Sequence, residues 1–197
     1  MSSRRRLAPQ QRRDELMDAG ATAFNETPFD GVVMEDVARR ANVSRALVYH
    51  YFPTKRDLFA AIWRRAHERL RADEASYDGR PLRDVVIELL TRHLEFYRTH
   101  APLVMIANRS AIASDPAVRE PIADGMRILG DRILDSADAT GHERDLAATA
   151  LTGWIAFVRE VTVEWLVQED TSQDEVVAMC MSVLDATIGT TVGWTGQ

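Results

Sequence analysis

The side chains with the clearest chemical bias are basic ones, and they concentrate at the N-terminal end of the chain. Residues 1–56 carry ten basic and seven acidic side chains, whereas the remainder carries fourteen basic and twenty-three acidic ones. The net charge is therefore +3 for the first segment and −9 for the rest. Clustered arginine and lysine side chains attract a polyanion such as the phosphate backbone of a nucleic acid. This distribution predicts that the N-terminal end is presented to a polyanion.

Side chains suited to catalysis or metal binding form no recognisable catalytic pattern. Glu160 and Glu164 lie four residues apart, which places them on one helix face where such pairs are usually solvated. The sequence contains no G-x-S-x-G, H-E-x-x-H, phosphate-binding loop or dinucleotide fingerprint. His93 and His100 are two helical turns apart, and Cys180 is the only cysteine. We therefore expect no enzyme activity, no cofactor and no metal.

Length and composition describe an ordinary folded chain. The chain has 197 residues, of which 46% are hydrophobic and 27% charged, with a net charge of −6. That is enough for a small domain and a larger one. No apolar run approaches the ~20 residues that span a bilayer, and no apolar segment follows the N-terminal arginines as it does in a secretory signal. We expect a soluble, cytoplasmic protein with no membrane partner.

The elements that must position these side chains are predicted to be helices. Apolar residues recur at helical spacing throughout, and no window shows the alternation of a strand. Helices are expected at about 9–25, 33–40, 45–50, 54–75, 81–98, 102–114, 116–137, 143–167 and 173–192. Thr54 with Asp57, and Ser172 with Glu175, have the spacing of capping boxes. The sequence thus predicts an all-α fold of nine helices, three short ones first.

Residues 33–50 have the pattern of a helix-turn-helix. The segment consists of MEDVARR, a three-residue turn centred on Asn42, and SRALVYH. Asn tolerates the left-handed conformation that such a turn requires, and Ser44 is a good N-cap. In this motif the second helix enters the major groove of DNA. Arg45, at the start of that helix, is the best candidate for a bidentate contact with O6 and N7 of guanine.

A wider stretch of sequence carries a family resemblance. PFDGVVMEDVARRANVSRALVYHYFPTKRDLFAAI, residues 28–62, closely resembles the N-terminal signature of TetR-family (tetracycline repressor-like) transcriptional regulators. The shared features are D-V-A in the second helix, the V-S turn, Y-x-Y-F and T-K-x-x-L. The resemblance implies a helix-turn-helix DNA-binding domain at 1–53 and a ligand-binding and dimerisation domain at 54–197.

The resemblance also implies which residues contact DNA. Ser44, Arg45, Ala46 and Leu47 would begin the recognition helix, where base edges and phosphates are reached. The positions that match phosphate contacts are Tyr49, His50 and Lys55. The sequence departs from the common pattern at Val32 and Val33, where Thr or Ser often stands, and at Ala46 and Leu47. These departures leave the operator sequence open.

The last helix is apolar over more than half of its circumference, so it needs cover on two sides. In the family that the chain resembles, the last two helices form a four-helix interface between two copies. A two-fold dimer also supplies the paired recognition helices that a palindromic operator requires. The expected interface residues are Gly153, Ala156, Val176, Cys180, Val183, Leu184, Thr187, Ile188 and Thr191.

Two polar residues on apolar stripes suggest an effector site. His93 and Asn108 each either meet a core partner or line a cavity, because a buried polar group is costly unless it is paired. The candidate ligand-binding residues are Trp63, His93, Tyr97, Met105, Asn108, Trp154, Phe157, Val158 and Val161. Core packing is the alternative for each aromatic member.

The resemblance thus implies a ligand-responsive regulator, a repressor in the family's usual mode. It would bind a palindromic double-stranded DNA operator as a homodimer, and a small apolar or amphipathic effector would release it. The alternative is a regulator of the same fold that is blind to ligands or controlled by a protein partner.

Overall fold

A computed structural model describes residues 8–72, 80–136, 140–168 and 170–192. Within these ranges the regular structure is entirely helical. The α-helices are α1 (Pro9–Glu26), α2 (Met34–Arg40), α3 (Arg45–Tyr51), α4 (Lys55–Ala72), α5 (Leu82–Thr99), α6 (Ala101–Arg109), α7 (Pro116–Ser136), α8 (Gly141–Trp165) and α9 (Gln173–Val192). A 3-10 turn at Phe29–Gly31 precedes α2. The predicted all-α architecture is confirmed, whereas the predicted helix ends near residues 75 and 137 lie outside the described residues.

The one clear error in the predicted helices is the end of α6. It was expected near Ser114, but α6 ends at Arg109. The hydroxyl of Ser110 donates to the carbonyl oxygen of Ile106 at 2.7 Å and accepts from the amide of Ile112 at 3.4 Å. Such local side-chain bonds compete with the helical ladder. Residues 110–114 consequently form turns.

The predicted capping boxes are both present. At the start of α4, the Thr54 amide donates to Oδ2 of Asp57 at 2.9 Å, and the Asp57 amide donates to the Thr54 hydroxyl at 3.1 Å. At the start of α9, Ser172 and Glu175 exchange the same pair of bonds, at 2.8 and 3.3 Å. The hydrogen bonds from Ser172 hold the pKa of the Glu175 carboxyl below its usual value. The starts of α4 and α9 are therefore fixed by local chemistry.

Contacts group the described residues into two compact units. The head unit comprises residues 8–67 and 102–119, and the body unit comprises the described residues of 68–101 and 120–197. The head unit contains α1 to α3, the first turns of α4 and nearly all of α6. The body unit contains α5, most of α7, α8 and α9. The predicted boundary between a DNA-binding domain and a ligand-binding domain after residue 53 stays a prediction. Packing alone groups the start of α4 with the head unit.

Aromatic rings fill the centre of the head unit. Phe24 of α1 lies edge-to-face with Phe59 of α4 at 5.2 Å between ring centroids, and Phe29 of the 3-10 turn stacks on Phe24 at 5.9 Å. Phe59 also stacks on Trp63, at 6.3 Å. Offset and edge-to-face aromatic pairs stabilise a core beyond their buried area. This cluster ties α1, the 3-10 turn and α4 together.

The body unit is organised around the pairing of α8 with α9. The indole Nε1 of Trp154 donates to the carbonyl oxygen of Cys180 at 2.7 Å, joining the two helices in the core. Arg83 of α5 pairs with Asp185 of α9 at 2.6 Å. The shared core is formed by buried side chains, among them Val86, Leu90, Ile133, Leu151, Val158, Leu184 and Ile188.

Helix α8 bears on the expectation about membrane-spanning segments. By length and composition alone it is long and apolar enough to cross a bilayer. Its mean hydropathy is high although it contains no uninterrupted apolar run of ~20 residues. Leu151, Trp154 and Val158 of this helix are buried in the core of the body unit. The core helix of a globular protein meets the same length and composition criteria.

Candidate nucleic-acid interface

The turn between α2 and α3 has a defined backbone geometry. Asn42 adopts φ = 52°, the left-handed conformation predicted for it. The amide of Val43 donates to the carbonyl oxygen of Ala38 at 2.9 Å, which closes the end of α2. The hydroxyl of Ser44 accepts from the amide of Leu47 at 3.3 Å and caps α3, as predicted. The start of α3 is therefore held by its own local hydrogen bonds.

Packing of α2 against α3 decides which side chains of α3 face solvent. Val37 of α2 and Val48 of α3 are fully buried, and so is Phe52, the residue that follows α3. The outward-facing residues are those predicted to meet DNA. Ser44, Arg45, Ala46 and His50 are exposed, and Leu47, Tyr49 and Lys55 are half-buried. The structure thus brings the first turn of α3 to the surface as a continuous face.

The guanidinium group of Arg45 is held in place by two neighbours. Its Nη1 lies 2.6 Å from Oε1 of Glu35, in the first turn of α2. Its Cζ lies 5.2 Å from the ring centroid of Tyr49, one turn further along α3. Glu35 was not among the residues predicted from the sequence, because no local pattern relates the first turn of α2 to that of α3.

Lys55 combines surface access with an internal role. Its ammonium donates to the carbonyl oxygens of Phe29 and Asp30, at 2.6 and 3.1 Å, and lies 4.7 Å from the Phe29 ring centroid. An ammonium has three N–H donors. Two of them therefore fasten the start of α4 to the 3-10 turn, an anchoring role that the sequence did not indicate.

The remaining cations of residues 8–56 are also engaged within the chain. Arg39 pairs with Asp36 at 2.6 Å, Arg56 pairs with Asp115 at 3.1 Å, and Arg40 pairs with Glu26. Arg12 pairs with Glu15, and Arg13 lies over the ring of Phe52. Carboxylates thus offset much of the positive charge that the sequence places in this segment. Arg4, Arg5 and Arg6 lie outside the described residues.

Comparison with known protein sequences matches the chain to one family of regulators. Residues 16–62 match the model of the family described as bacterial regulatory proteins, tetR family. Over 188 residues the chain is 30% identical to the HTH-type transcriptional regulator CymR of Pseudomonas putida, covering 89% of this chain and 91% of that protein. The chain belongs to the TetR family.

Solved structures agree with this assignment at the level of the fold. A tetR-family transcriptional regulator from Streptomyces coelicolor superposes with a TM-score of 0.79 at 22% identity, covering 95% of this chain and 85% of that one. The transcriptional regulator FadR from Bacillus subtilis, solved in complex with stearoyl-CoA, has a TM-score of 0.64 at 17% identity, covering 89% of this chain and 98% of that one. The TetR-family assignment makes the protein a non-enzymatic DNA-binding transcriptional regulator, as the sequence predicted.

The candidate effector residues of this TetR-family chain fall into both compact units. In the head unit, Trp63 is fully buried and its Nε1 donates to the carbonyl oxygen of Val118 at 3.0 Å. The side-chain amide (Nδ2) of Asn108 donates to the carbonyl oxygen of Val104, in its own helix, at 2.9 Å. Trp63 therefore has the core partner that was the alternative to a ligand contact, whereas Asn108 bonds only within its own helix in this contact.

Met105, the third head-unit candidate, lines an open groove of about 470 Å³. The groove lies between the end of α1, the 3-10 turn and α6. Its lining residues are Phe24, Asn25, Glu26, Thr27, Pro28, Phe29, Asp30, Pro102, Met105, Ile106, Arg109 and Ser110. The sequence suggested only Met105 of this set, since the groove depends on the packing of α1 against α6.

The body-unit candidates are mainly core residues. His93 and Tyr97 are buried with their ring centroids 4.0 Å apart, and burial raises the pKa of the Tyr97 phenol, which stays protonated. Trp154 and Val158 belong to the core between α8 and α9, and Phe157 and Val161 pack against it. The hydrogen bond of Trp154 to Cys180 accounts for its polar atom without a ligand.

The predicted dimer-interface residues divide by burial, and four of them need correction. Val176, Cys180, Leu184 and Ile188 are at most 1% exposed in the isolated chain, so they fill its own core and are not available to a second copy. Gly153 and Ala156 are exposed, as an interface requires, and Val183 and Thr187 are half-buried. The side chain of Thr191 lies outside the described residues.

Proposed function

We propose that this TetR-family protein is a ligand-responsive repressor in the cytoplasm that binds a palindromic operator as a homodimer. The observation that carries the proposal is the outward face of α3, with Ser44 capping the helix and Arg45 at its first turn. Direct base contacts fall to Arg45 and Leu47, the latter against a thymine methyl group. Phosphate contacts fall to Tyr49, His50 and Lys55, with the exposed start of α3 around Ser44 and Ala46 adding its helix dipole.

The homodimer is assigned to the outward faces of α8 and α9. Gly153 and Ala156 of α8 are exposed, and a Cβ atom at Gly153 would meet nothing within 4 Å. After the first turn of α9, which carries Asp174 and Glu175, its exposed residues are Ala178, Met179, Ser182 and Ala186. Small uncharged side chains let two helices approach closely, and a two-fold axis repeats the same face on both copies. This face replaces the buried residues of α9 as the expected contact surface.

The effector is proposed to be apolar or amphipathic. The fold-matched FadR of Bacillus subtilis was solved in complex with stearoyl-CoA, which supports a ligand of this class for the shared fold. Within the head unit, α4 is joined to the start of α7 twice, by Arg56 with Asp115 and by Trp63 with Val118. Both helices continue into the body unit, so we propose that a ligand bound there shifts α3 through α4 and α7. Moving a population from 1:99 to 99:1 requires about 5.5 kcal/mol of differential affinity.

The test begins with selection of duplexes from a random pool by the purified full-length protein. An enriched inverted repeat, bound by two copies in sedimentation analysis, supports the proposed operator and dimer. Acyl-CoA esters of increasing chain length are then titrated into the complex. Release of DNA supports the effector proposal, whereas thermal stabilisation without release favours a ligand-blind regulator. Failure to enrich any sequence contradicts the whole proposal.

A further inference from the structure

The surroundings of Arg45 differ from those of a free phosphate-binding arginine. Its guanidinium lies between the carboxylate of Glu35, at 2.6 Å, and the ring of Tyr49, at 5.2 Å. The side chains of Arg45 and Glu35 are 63% and 48% exposed, so the ion pair lies on the surface that α3 presents to solvent. Any group that binds the guanidinium of Arg45 therefore also lies close to the carboxylate of Glu35.

The guanidinium keeps enough donors for a second partner. An arginine has five N–H donors in a planar fork, and a bidentate contact with guanine uses two of them. The contact with Glu35 is made through Nη1, which leaves the donors of Nη2 and Nε. Glu35 and a guanine can therefore be bound together, with the carboxylate and Tyr49 limiting the orientations of the guanidinium.

Phosphate and guanine differ in charge, so the Glu35 carboxylate repels them to different extents. Guanine carries no net charge, so a nearby carboxylate repels its acceptor atoms less than it repels a phosphate. A phosphate bound to the same guanidinium would be a second anion beside Glu35, and like charges at such distances repel. The carboxylate thus weakens phosphate contacts of Arg45 more than it weakens a base contact.

We propose that Glu35 is a specificity-determining residue that restricts Arg45 to neutral base acceptors and so weakens binding to DNA without the operator. The proposal rests on the proposed function, because it assumes that α3 reads a duplex. Glu35 has a second effect from its place in the first turn of α2, where a carboxylate stabilises the helix N-terminus. The experiment must therefore separate the local action on Arg45 from charge and helix stability.

The experiment compares Glu35→Gln with Asp36→Asn in the full-length protein. Both substitutions are nearly isosteric and remove one negative charge from the first turn of α2, and Asp36 pairs with Arg39 rather than Arg45. The probes are the duplex enriched by the wild-type protein and a guanine-free duplex, poly(dA)·poly(dT). Affinities are measured by fluorescence anisotropy at one fixed salt concentration, and thermal unfolding checks the stability of each variant.

Glu35→Gln is expected to tighten binding to poly(dA)·poly(dT) by about two- to fivefold per recognition helix, the size of a surface ion-pair effect. Its affinity for the enriched duplex is expected to stay within about twofold of wild type. Asp36→Asn is expected to shift both affinities by the same factor. In an Arg45→Ala background, the effect of Glu35→Gln on poly(dA)·poly(dT) is expected to vanish.

Two results overturn the proposal. One is an equal shift of both affinities by Glu35→Gln, as for Asp36→Asn, which assigns Glu35 to bulk charge. The other is persistence of the Glu35→Gln effect in the Arg45→Ala background, which shows that Arg45 is not its target. If the wild-type protein enriches no duplex, the proposed function is wrong and the role of Glu35 falls with it. That failure is visible before any variant is made.

Discussion

The ammonium nitrogen of Lys55 lies 2.6 Å from the carbonyl oxygen of Phe29, 26 positions earlier in the chain. The contact joins the first residue of α4 to the 3-10 turn. Hydrogen bonds from a charged donor contribute about 1.5–3 kcal/mol when they are shielded, and less near solvent. Lys55→Ala is therefore expected to lower the free energy of unfolding by about 1–2 kcal/mol in urea titrations. Arg56→Ala, one residue along in the same turn, is the control. It should lower the free energy of unfolding by less, since the Arg56 side chain is 58% exposed.

The two cations at the proposed DNA surface should have different effects on DNA binding. Arg45→Ala is expected to weaken operator binding by about 1–3 kcal/mol and to relax the preference at one base position. Lys55→Ala is expected to weaken binding to all sequences and to lower the salt slope by about one unit. Anisotropy titrations of operator and random duplexes over a range of salt concentrations measure both effects. Unchanged binding by both variants would contradict the proposed docking of α3.

The proposed dimer is tested on the exposed face of α8. Ala156→Arg places a charge on that face and is expected to give a folded monomer with greatly weakened operator binding, as measured by sedimentation. Ala111→Arg, at an exposed position of the head unit, is the matched control and should remain a dimer. A dimeric Ala156→Arg protein would assign the interface to another surface.

A charge on the buried face of α9 should instead affect folding. Ile188 is 0% exposed, so Ile188→Arg leaves an uncompensated buried charge. Such a charge is expected to cost about 3–5 kcal/mol of stability. Circular dichroism during urea unfolding measures the loss. Wild-type stability of Ile188→Arg would contradict the burial of this face within the chain.

The cap of α9 makes part of the stability depend on pH. The pKa of Glu175 is lowered in the folded protein by the hydrogen bonds from Ser172, so folding favours the ionised carboxylate. Its stabilising effect is fully present above the pKa of the unfolded chain, about 4.3, and is lost as pH falls through the lower folded value. The difference in melting temperature between wild type and Ser172→Ala should be larger at pH 7 than at pH 3, where only the bond from the Glu175 amide to the Ser172 hydroxyl still separates the two proteins. A constant difference would show that the cap does not involve an ionised Glu175.

Cys180 should be unreactive in the folded protein. It is 1% exposed, and burial raises the pKa of its thiol to about 11. Only the thiolate reacts with alkylating agents. At pH 8, iodoacetamide is expected to leave the native protein unmodified and to alkylate it once in 8 M urea, as counted by mass spectrometry. Rapid labelling of the native protein would show that the α8–α9 core opens.

Features determined by neighbouring residues could be predicted from the sequence. Ser44, Asn42 and the Thr54–Asp57 pair act within about one helical turn, so their types and spacing were sufficient. The helix-turn-helix was therefore located to within one residue at the start and end of both helices. The end of α6 was misplaced because Ser110 offers the backbone hydrogen bonds that compete with a further turn.

Features determined by packing could not be predicted in the same way. Because α9 is apolar on two sides, its sequence does not indicate which side packs against the rest of its own chain. In the structure, Cys180 and Ile188 face inward. Likewise, the partner of Arg45 is Glu35 from another helix. Its identity depends on the crossing of α2 and α3, which the hydrophobic pattern leaves undetermined.

The hydrogen bond between Trp63 and Val118 gives the protein a built-in optical probe. Trp63 is one of four tryptophans in the sequence, the others being Trp154, Trp165 and Trp194, and no other lies in residues 8–67 or 102–119. With the other three replaced by phenylalanine, all indole fluorescence would arise from the junction of α4 with α7. Emission from a dry, hydrogen-bonded indole shifts to longer wavelength when water reaches it. Unlabelled protein could therefore report, in stopped-flow time, whether an effector loosens this junction before or after the DNA departs.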